Sequence, residues 1–287
     1  MTREVTYRLA SVTREKYTFL RELSHKQFDQ YVGQIKRLHI LQAEGKLFKL
    51  IELNYQDLRE KIENYRFYKD DSEVFDLGFI YLDSNRMVLN FLSSIRTYLD
   101  HTETRLKRKY GEVSSEFQLF KNVTSQCFDS SFAYRFLSKL RNYAQHCGLP
   151  AGSISLTSDE HGNTFTLLLE RDNLLANFDS WGKTVKEDLK QQKNEFDLMH
   201  LIDQKFKLLE YVNKIISDHE YRKHYSDARE LLLLMKEVNQ ESEGAPAVMQ
   251  ISTIGDDYSG ASLIIHDFPY EAISRASGIK ITVLPPI

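Results

Sequence analysis

An arginine and a histidine lie five positions apart in the stretch RNYAQHCGLP, residues 141–150. The guanidinium of Arg141 is planar, stays charged at any working pH and matches the oxygens of a phosphate group. His146 can take up or release a proton near neutral pH. Asn142, directly after the arginine, adds a polar amide. Such side chains can hold a phosphodiester and move protons. Cleavage of RNA requires no metal ion beyond this, because the 2′-hydroxyl supplies the nucleophile.

These residues are expected at the C-terminal end of a helix. Asp129 and Ser130 are candidate N-cap residues, Gly148 suits the position after the last turn, and Pro150 cannot continue a helix. Between them, apolar residues recur at spacings of three and four and so share one face: Ala133, Leu137, Leu140, Ala144 and Cys147. The motif therefore occupies the last helical turn.

The opposite face of this helix is polar and basic. On a helix turning about 100° per residue, Asn142 points away from the apolar face and His146 lies one turn beyond it. Lys139 and Arg135 lie close to the same line. Arg141 is on the flank, about 140° around the axis from His146, so both contact one phosphate only if the arginine folds around the helix. The dipole of the helix end favours a protonated His146.

A second basic group is TRLKRK, residues 104–109. If its helix packs beside the motif helix, these cations can hold an RNA backbone through its phosphates. The alternative is a solvated helix face, because cations are also favoured at the C-terminal end that Gly111 is expected to form. Together with the two cations of the motif helix, the predicted RNA-binding residues are Arg105, Lys107, Arg108, Lys109, Lys139 and Arg135.

Four tyrosines flank these segments and could stack on unpaired bases. They are Tyr98, Tyr110, Tyr134 and Tyr143. Tyrosines at such positions more often belong to the core or to an interface, and we favour that interpretation.

The spacing R-x-x-x-x-H also occurs in RTYLDH, from Arg96 to His101. This match is expected in the middle of a helix, and Asp100 beside the histidine disfavours a phosphate. We interpret it as accidental.

The composition excludes several classes of protein. A chain of 287 residues with 41% hydrophobic residues can bury a large core in one or two domains. The formal net charge of −3 requires any RNA contact to come from a local patch. Cys127 and Cys147 lack CxxC spacing, which indicates a reducing compartment without disulfides or zinc. No cofactor motif is present. The N-terminus lacks the apolar run of a signal peptide, and LLLLM at 231–235 is too short to span a bilayer, so we expect a cytoplasmic protein.

The N-terminal half reads as helical. The pattern from Tyr17 to about Tyr68 is amphipathic, with Gly33 and Gly45 as weak points. A clearer helix is expected to open at the cap candidates 83–85 and to end at Gly111.

After Pro150 the pattern changes to strands and long helices. SISLTS and NTFTLLLE predict a β-hairpin, Trp181–Ser217 and 226–239 predict helices, and AVMQIST, ASLIIHDF and IKITVL predict three strands. With the hairpin, these strands could form one antiparallel sheet. We therefore expect an α+β fold that is mainly α, with a helical portion over 1–150 and a smaller α+β portion over 151–287.

R-N-x-x-x-H near a helix end, after a longer upstream helix, resembles the R-polar-x-x-x-H signature of HEPN-domain ribonucleases. The resemblance covers about residues 84–150 and implies a small helical bundle there. It also implies a homodimer whose two motifs face one cleft, with metal-independent RNA cleavage. In this comparison Arg141 stabilises phosphate charge, Asn142 orients the substrate or a neighbour, and His146 transfers protons or contacts the leaving group.

The leading hypothesis is a cytoplasmic endoribonuclease for single-stranded or looped RNA, in toxin or antiviral defence, with a neutralising or activating protein as a further partner. Inactive HEPN members also exist, so the alternative is a non-catalytic dimerising module that binds RNA, a nucleotide or a protein. A third possibility is a structural adaptor in which Arg141 and His146 cap carbonyls at an ordinary helix end.

Overall fold

The computed structural model describes residues 3–66, 76–159, 162–254 and 260–281. The fold is α+β and mainly α, as predicted. Its elements in chain order are β1 (Arg3–Val12), β2 (Tyr17–Leu23), α1 (His25–Glu44), α2 (Lys46–Arg66), α3 (Leu77–Tyr110), α4 (Ser115–Ser130), α5 (Phe132–His146), β3 (Ser153–Asp159), β4 (Gly162–Glu170), α6 (Arg171–Asn177), a 3₁₀ turn (Asp179–Trp181), α7 (Lys183–Lys190), β5 (Glu195–Asp197), α8 (Leu198–Arg222), α9 (Tyr225–Glu241), β6 (Ala245–Ile254), β7 (Gly260–Asp267) and α10 (Tyr270–Ser277).

The chain folds into two compact units. The first joins both ends of the sequence, Met1–Gly45 and Ser217–Ile287, and the second is the central stretch Lys46–Ile216. The boundary that we expected near residue 150 does not coincide with this division. Gly45, a weak point of the helical pattern, separates α1 from α2 and marks the first boundary.

The first unit is an antiparallel sheet with helices on one face. Its strand order is β2-β1-β6-β7, and β1 pairs with β6 along its whole length, although more than 230 residues separate Arg3↔Ile254 and Val12↔Ala245 in the chain. Side chains from β1, β2 and β6 share a core with α1, α9 and α10. Ser24 caps α1 through a capping box with Gln27.

The second unit is built around α3, which packs against α2, α4 and α5. Its small sheet has the order β3-β4-β5 and lies against α2, where the rings of Tyr65 and Phe165 are 5.4 Å apart. A cluster of aromatic rings fixes α5. The fully buried Trp181 stacks on Phe136 and Tyr143 of α5 at centroid distances of 5.4 and 5.8 Å. Ring stacking of this kind stabilises the fold beyond the contribution from burial of the apolar surface.

Several predicted elements are confirmed. The hairpin corresponds to β3 and β4, the helix over 226–239 to α9, and the first two C-terminal strands to β6 and β7. Gly111 ends α3, and α5 ends at His146 just before Gly148. The structure gives α3 an earlier start, because Asp76 and not the 83–85 group caps it, and Ser131 caps α5 in place of Asp129 or Ser130.

Other predictions were wrong. The helical interpretation of the N-terminus missed β1 and β2, because Tyr17–Leu23 is held as a strand by pairing with β1. The strands form two sheets and not one, since β6 and β7 extend the N-terminal strands while β5 joins the hairpin. The expected helix Trp181–Ser217 is interrupted by β5. In IKITVL, residues 279–281 form no strand and 282–284 lie outside the described residues. α10 was not predicted.

Over the described ranges, no helix is long and apolar enough to cross a bilayer.

Candidate functional site

The motif lies in the last two turns of α5, at the helix end that the sequence predicts. The core anchors this helix through six buried residues: Ala133, Tyr134, Phe136, Leu137, Leu140 and Tyr143. After the helix the chain passes close to Tyr143. A Cβ atom added at Gly148 would lie 3.0 Å from the tyrosine hydroxyl. A side chain at this position would force the tyrosine to move.

Two hydrogen bonds fix the segment that follows the motif. The amide of Ala151 donates to Asn85 Oδ1 at 2.8 Å, and the hydroxyl of Tyr81 donates to the Ala151 carbonyl at 2.9 Å. Asn85 is itself buried and bonded to the Tyr81 carbonyl. The C-terminal end of α5 therefore lies beside the N-terminal part of α3.

The three motif residues are not used by the fold. Arg141 and Asn142 are partly exposed and His146 is exposed, and none of them forms a hydrogen bond or ion pair within the described ranges. The C-terminal turn is closed by the backbone, where the Cys147 amide donates to the Tyr143 carbonyl at 2.8 Å. Arg141 and His146 therefore do not cap helix carbonyls in the described structure, in contrast to the third possibility that the sequence left open.

Arg141 has one further property. Its Nε is buried, yet it has no hydrogen-bond partner. A buried polar hydrogen without an acceptor costs about 1–3 kcal/mol, so such groups in native proteins call for an explanation, and a bound anion or water is one. Because this Nε has almost no accessible surface, a phosphate oxygen could accept from it only if the side chain moved.

The helix geometry limits what one chain can do. Arg141 and His146 are about 140° apart around the axis and about 7.5 Å apart along it. Lys139, Asn142 and His146 share one line of the helix, while Arg141 lies on the flank. A single motif helix therefore presents Arg141 and His146 on a broad surface and does not bring both side chains to the same atom of a ligand.

Arg135, predicted to contact RNA, has a structural role instead. Its Nε and Nη2 donate to Asp188 Oδ2 at 3.0 and 2.9 Å, and its Nη1 donates to the carbonyls of Phe128 and Asp129, both at 2.7 Å. Only 11% of its side chain is exposed. The prediction was wrong because the sequence does not show that α7 and the end of α4 converge on this guanidinium.

We expect Arg135→Ala to lower the free energy of unfolding by about 1–2 kcal/mol, because it removes a largely buried ion pair and two bonds to carbonyls. Urea unfolding measures this change. Lys139→Ala, on the same helix but without a partner in the described structure, is the matched control and should change stability by less than about 0.5 kcal/mol. Equal effects in the two variants would contradict the structural role of Arg135.

The basic cluster 104–109 does not lie beside the motif. It occupies the C-terminal end of α3, whereas the motif meets α3 near Asn85. Twenty-two residues of helix separate Asn85 from Lys107, a length of about 33 Å. Arg105 is partly buried, Lys107 pairs with Glu112 across the helix end, and Lys109 lies over the Tyr110 ring, while Arg108 is exposed. One chain therefore cannot hold the same phosphate with this cluster and the motif.

The tyrosines belong to the core, as we favoured. Tyr98, Tyr134 and Tyr143 are buried and Tyr110 packs against the core. Burial raises the pKa of Tyr134 and of Tyr143, because it penalises the charged phenolate. Tyr98, Tyr134 and Tyr143 therefore offer no free stacking surface.

The second motif match, Arg96 to His101, lies in the middle of α3. The Nε of Arg96 is 2.7 Å from Asp100 Oδ2, and His101 is exposed. The arginine is thus neutralised by the aspartate that stands between the two motif residues.

Sequence reasoning missed Lys205, which lies next to the motif helix. It is 1% exposed, and its Nζ donates to Ser138 Oγ at 2.8 Å and to the Tyr134 carbonyl at 3.3 Å. Its Nζ also lies 4.8 Å from the centre of the Tyr134 ring. Burial lowers the pKa of Lys205 from 10.5 to about 7. The sequence feature that could have indicated its burial is the position of this lysine within the apolar stripe of α8, between Ile202 and Leu209.

No group of three or more His, Cys, Asp or Glu side chains in the described parts of the chain converges as metal ligands do. Comparison of the chain with protein-family models, with curated proteins and with solved structures found no match. The resemblance to HEPN ribonucleases therefore rests on the motif residues and on their place at a helix end.

Proposed function

We propose that the chain is a metal-independent endoribonuclease of the HEPN type that cleaves single-stranded or looped RNA. One observation carries the proposal. Within the described residues, Arg141, Asn142 and His146 form no hydrogen bond or ion pair, and Arg141 holds a buried donor without an acceptor. By contrast, Arg135 on the same helix donates four hydrogen bonds within the fold. Arg135 stabilises the fold, whereas Arg141 has no partner within the described residues. This difference supports a role for Arg141 in binding a ligand.

The proposed reaction uses the RNA's own 2′-hydroxyl. Its oxygen attacks the adjacent phosphorus, the bond from phosphorus to the 5′-oxygen breaks, and a 2′,3′-cyclic phosphate and a 5′-hydroxyl result. Arg141 stabilises the negative charge of the crowded phosphorane. His146 transfers a proton, either from the attacking hydroxyl or to the leaving oxygen, and Asn142 orients the substrate.

Two copies of the motif fit this reaction better than one. Because Arg141 and His146 diverge around a single helix, a homodimer with facing motifs would surround one phosphate with two arginines and two histidines. The resemblance to HEPN proteins further supports a cytoplasmic role in toxin or antiviral defence, with a neutralising or activating protein partner.

The same divergence favours a second candidate function. A wide, unpaired polar face can hold a backbone without catalysing a reaction, so the chain could act as a dimerising module that binds RNA, a nucleotide or a protein.

The test incubates the full chain with single-stranded RNA in EDTA, beside the double variant Arg141→Ala/His146→Ala. We expect the wild type to produce fragments that end in a cyclic phosphate and the double variant to produce none. RNA that binds to the wild type but stays intact would support the module. RNA that neither binds nor breaks would reject the ribonuclease and the RNA-binding form of the module.

A further inference from the structure

The two edges of the four-stranded sheet differ in how they are protected. β2, at one edge, carries Arg21 and Glu22 and is irregular, with a register shift opposite Leu9 and Ala10. Charges and bulges are the usual means by which an edge strand avoids pairing with another chain. β2 also exposes Tyr17 and Phe19, which precede the register shift in the chain and lie opposite Val12 and Ala10 of β1.

The opposite edge strand, β7, lacks this protection. Among the described strands it pairs with β6 alone, and its first six residues, GASLII, include no charge and no proline. Leu263, Ile264 and Ile265 are 39%, 49% and 37% exposed. Three consecutive exposed aliphatic residues on an edge strand form an apolar surface together with a row of backbone groups that can pair with a further strand.

Both faces of the sheet are apolar at this edge. Ile264 is opposite Gln250 in β6, and Leu263 and Ile265 are opposite Ile251 and Met249. Since neighbouring residues of a strand point to opposite faces, Ile264 lies on one face while Leu263 and Ile265 lie on the other. A strand added here would find apolar contacts above and below.

The sequence of β7 matches itself in the antiparallel direction. With Ile264 at the centre, Leu263 falls opposite Ile265 and Ser262 falls opposite His266. The pairing places aliphatic side chains against aliphatic side chains three times and never places like charges opposite each other, which is the arrangement that stabilises antiparallel pairs. This self-complementarity identifies the occupant as a second copy.

We propose that β7 is a self-association edge at which two copies of the chain pair antiparallel about a two-fold axis, with Ile264 opposite the partner's Ile264. The two four-stranded sheets then form one sheet of eight strands. This pairing uses β7 and not the motif of α5, so it is an interface separate from the facing motifs of the proposed function, and the register of the β7 cross-link distinguishes the two.

The first test measures dimerisation of the full chain by sedimentation equilibrium. We expect a concentration-dependent dimer whose dissociation constant rises at least about tenfold in Ile264→Lys, because two ammonium groups then face each other at the axis. Leu233→Lys, at an exposed position of α9 in the same unit, is the control and should leave the constant unchanged. A circular-dichroism melting curve shows that both variants are folded.

The second test fixes the register. In a Cys147→Ser background, Ile264→Cys should form a disulfide-linked dimer under mild oxidation, because opposite residues of an antiparallel pair lie within disulfide range. Ser262→Cys should not, since the two cysteines would be about 13 Å apart along the strands. A wild type that stays monomeric, a dimer unaffected by Ile264→Lys, or equal cross-linking of the two cysteine variants would overturn the proposal. RNA cleavage does not enter either test, so its failure would leave these results unchanged.

Discussion

Replacement of His146 by alanine is expected to lower the rate of RNA cleavage by about 10²- to 10⁴-fold, the range that a positioned proton-transfer group contributes. The imidazole is exposed in the last turn of α5 and forms no bond within the described structure. Its removal should therefore change the free energy of unfolding by less than about 0.5 kcal/mol. The measurement is the initial rate of cleavage of a labelled single-stranded RNA in EDTA, with urea unfolding alongside.

The chain contains its own matched control for this experiment. His101 is also an exposed helical histidine five positions after an arginine, but Arg96 is paired with Asp100. We expect His101→Ala to cleave RNA at the wild-type rate. If both histidine variants lost activity equally, or neither did, the assignment of the active site to residues 141–146 would fail.

The position of the motif could be predicted because its determinants are local. The spacing of apolar residues in α5 and the Gly148 and Pro150 stop signals are all within about twenty residues, and the structure confirms the helix end that they predict. Arg141 and His146 form no hydrogen bond or ion pair within the described residues, and their role in RNA cleavage stays a prediction. The structural role of Arg135 could not be predicted in this way, because its acceptor Asp188 lies on α7, 53 residues further along the chain.

Long-range strand pairing explains the largest errors in the predicted fold. The predicted helical region includes β2, which pairs locally with β1, whereas β1 also pairs on its other side with β6, at the far end of the chain. Pattern reasoning sees only neighbours in sequence, whereas a strand is stabilised by neighbours in space. The split into two sheets and the union of the chain ends in one unit follow from the same pairing.

The basic cluster at residues 104–109 shows a second reason why the sequence did not predict the candidate site. Its charges were evident, but its distance from the motif depends on the direction in which α5 packs along α3. The bonds of Ala151 to Tyr81 and Asn85 settle that direction and place the cluster at the other end of the helix. Any joint action of the cluster and the motif on RNA must therefore span about 33 Å or involve a second chain.

Replacement of Lys205 by methionine is expected to raise the free energy of unfolding at pH 7 by about 2–4 kcal/mol, because it removes a buried ammonium and keeps the apolar stem. Within the described residues Nζ has no carboxylate partner, and it donates to Ser138 Oγ and the Tyr134 carbonyl. The loss of these bonds leaves little unsatisfied, since Ser138 Oγ also donates to the Tyr134 carbonyl at 2.7 Å. Urea unfolding at pH 7 measures the gain, and Lys207→Met, at an exposed position two residues further along α8, is the control.

The pH dependence of stability tests the same cause in the wild type. Burial lowers the pKa of Lys205 to about 7, from 10.5 in the unfolded chain. Below pH 7 both states are protonated, and the folded state carries the whole cost of the buried charge. As the pH rises above 7 the folded lysine releases its proton while the unfolded one keeps it, so stability should increase by up to about 1.4 kcal/mol per pH unit. We expect this rise between pH 7 and 9 in the wild type and in Lys207→Met, and a flatter curve in Lys205→Met. A wild-type curve as flat as that of Lys205→Met, or a methionine variant less stable than the wild type, would show that the ammonium is not a destabilising charge behind the motif helix.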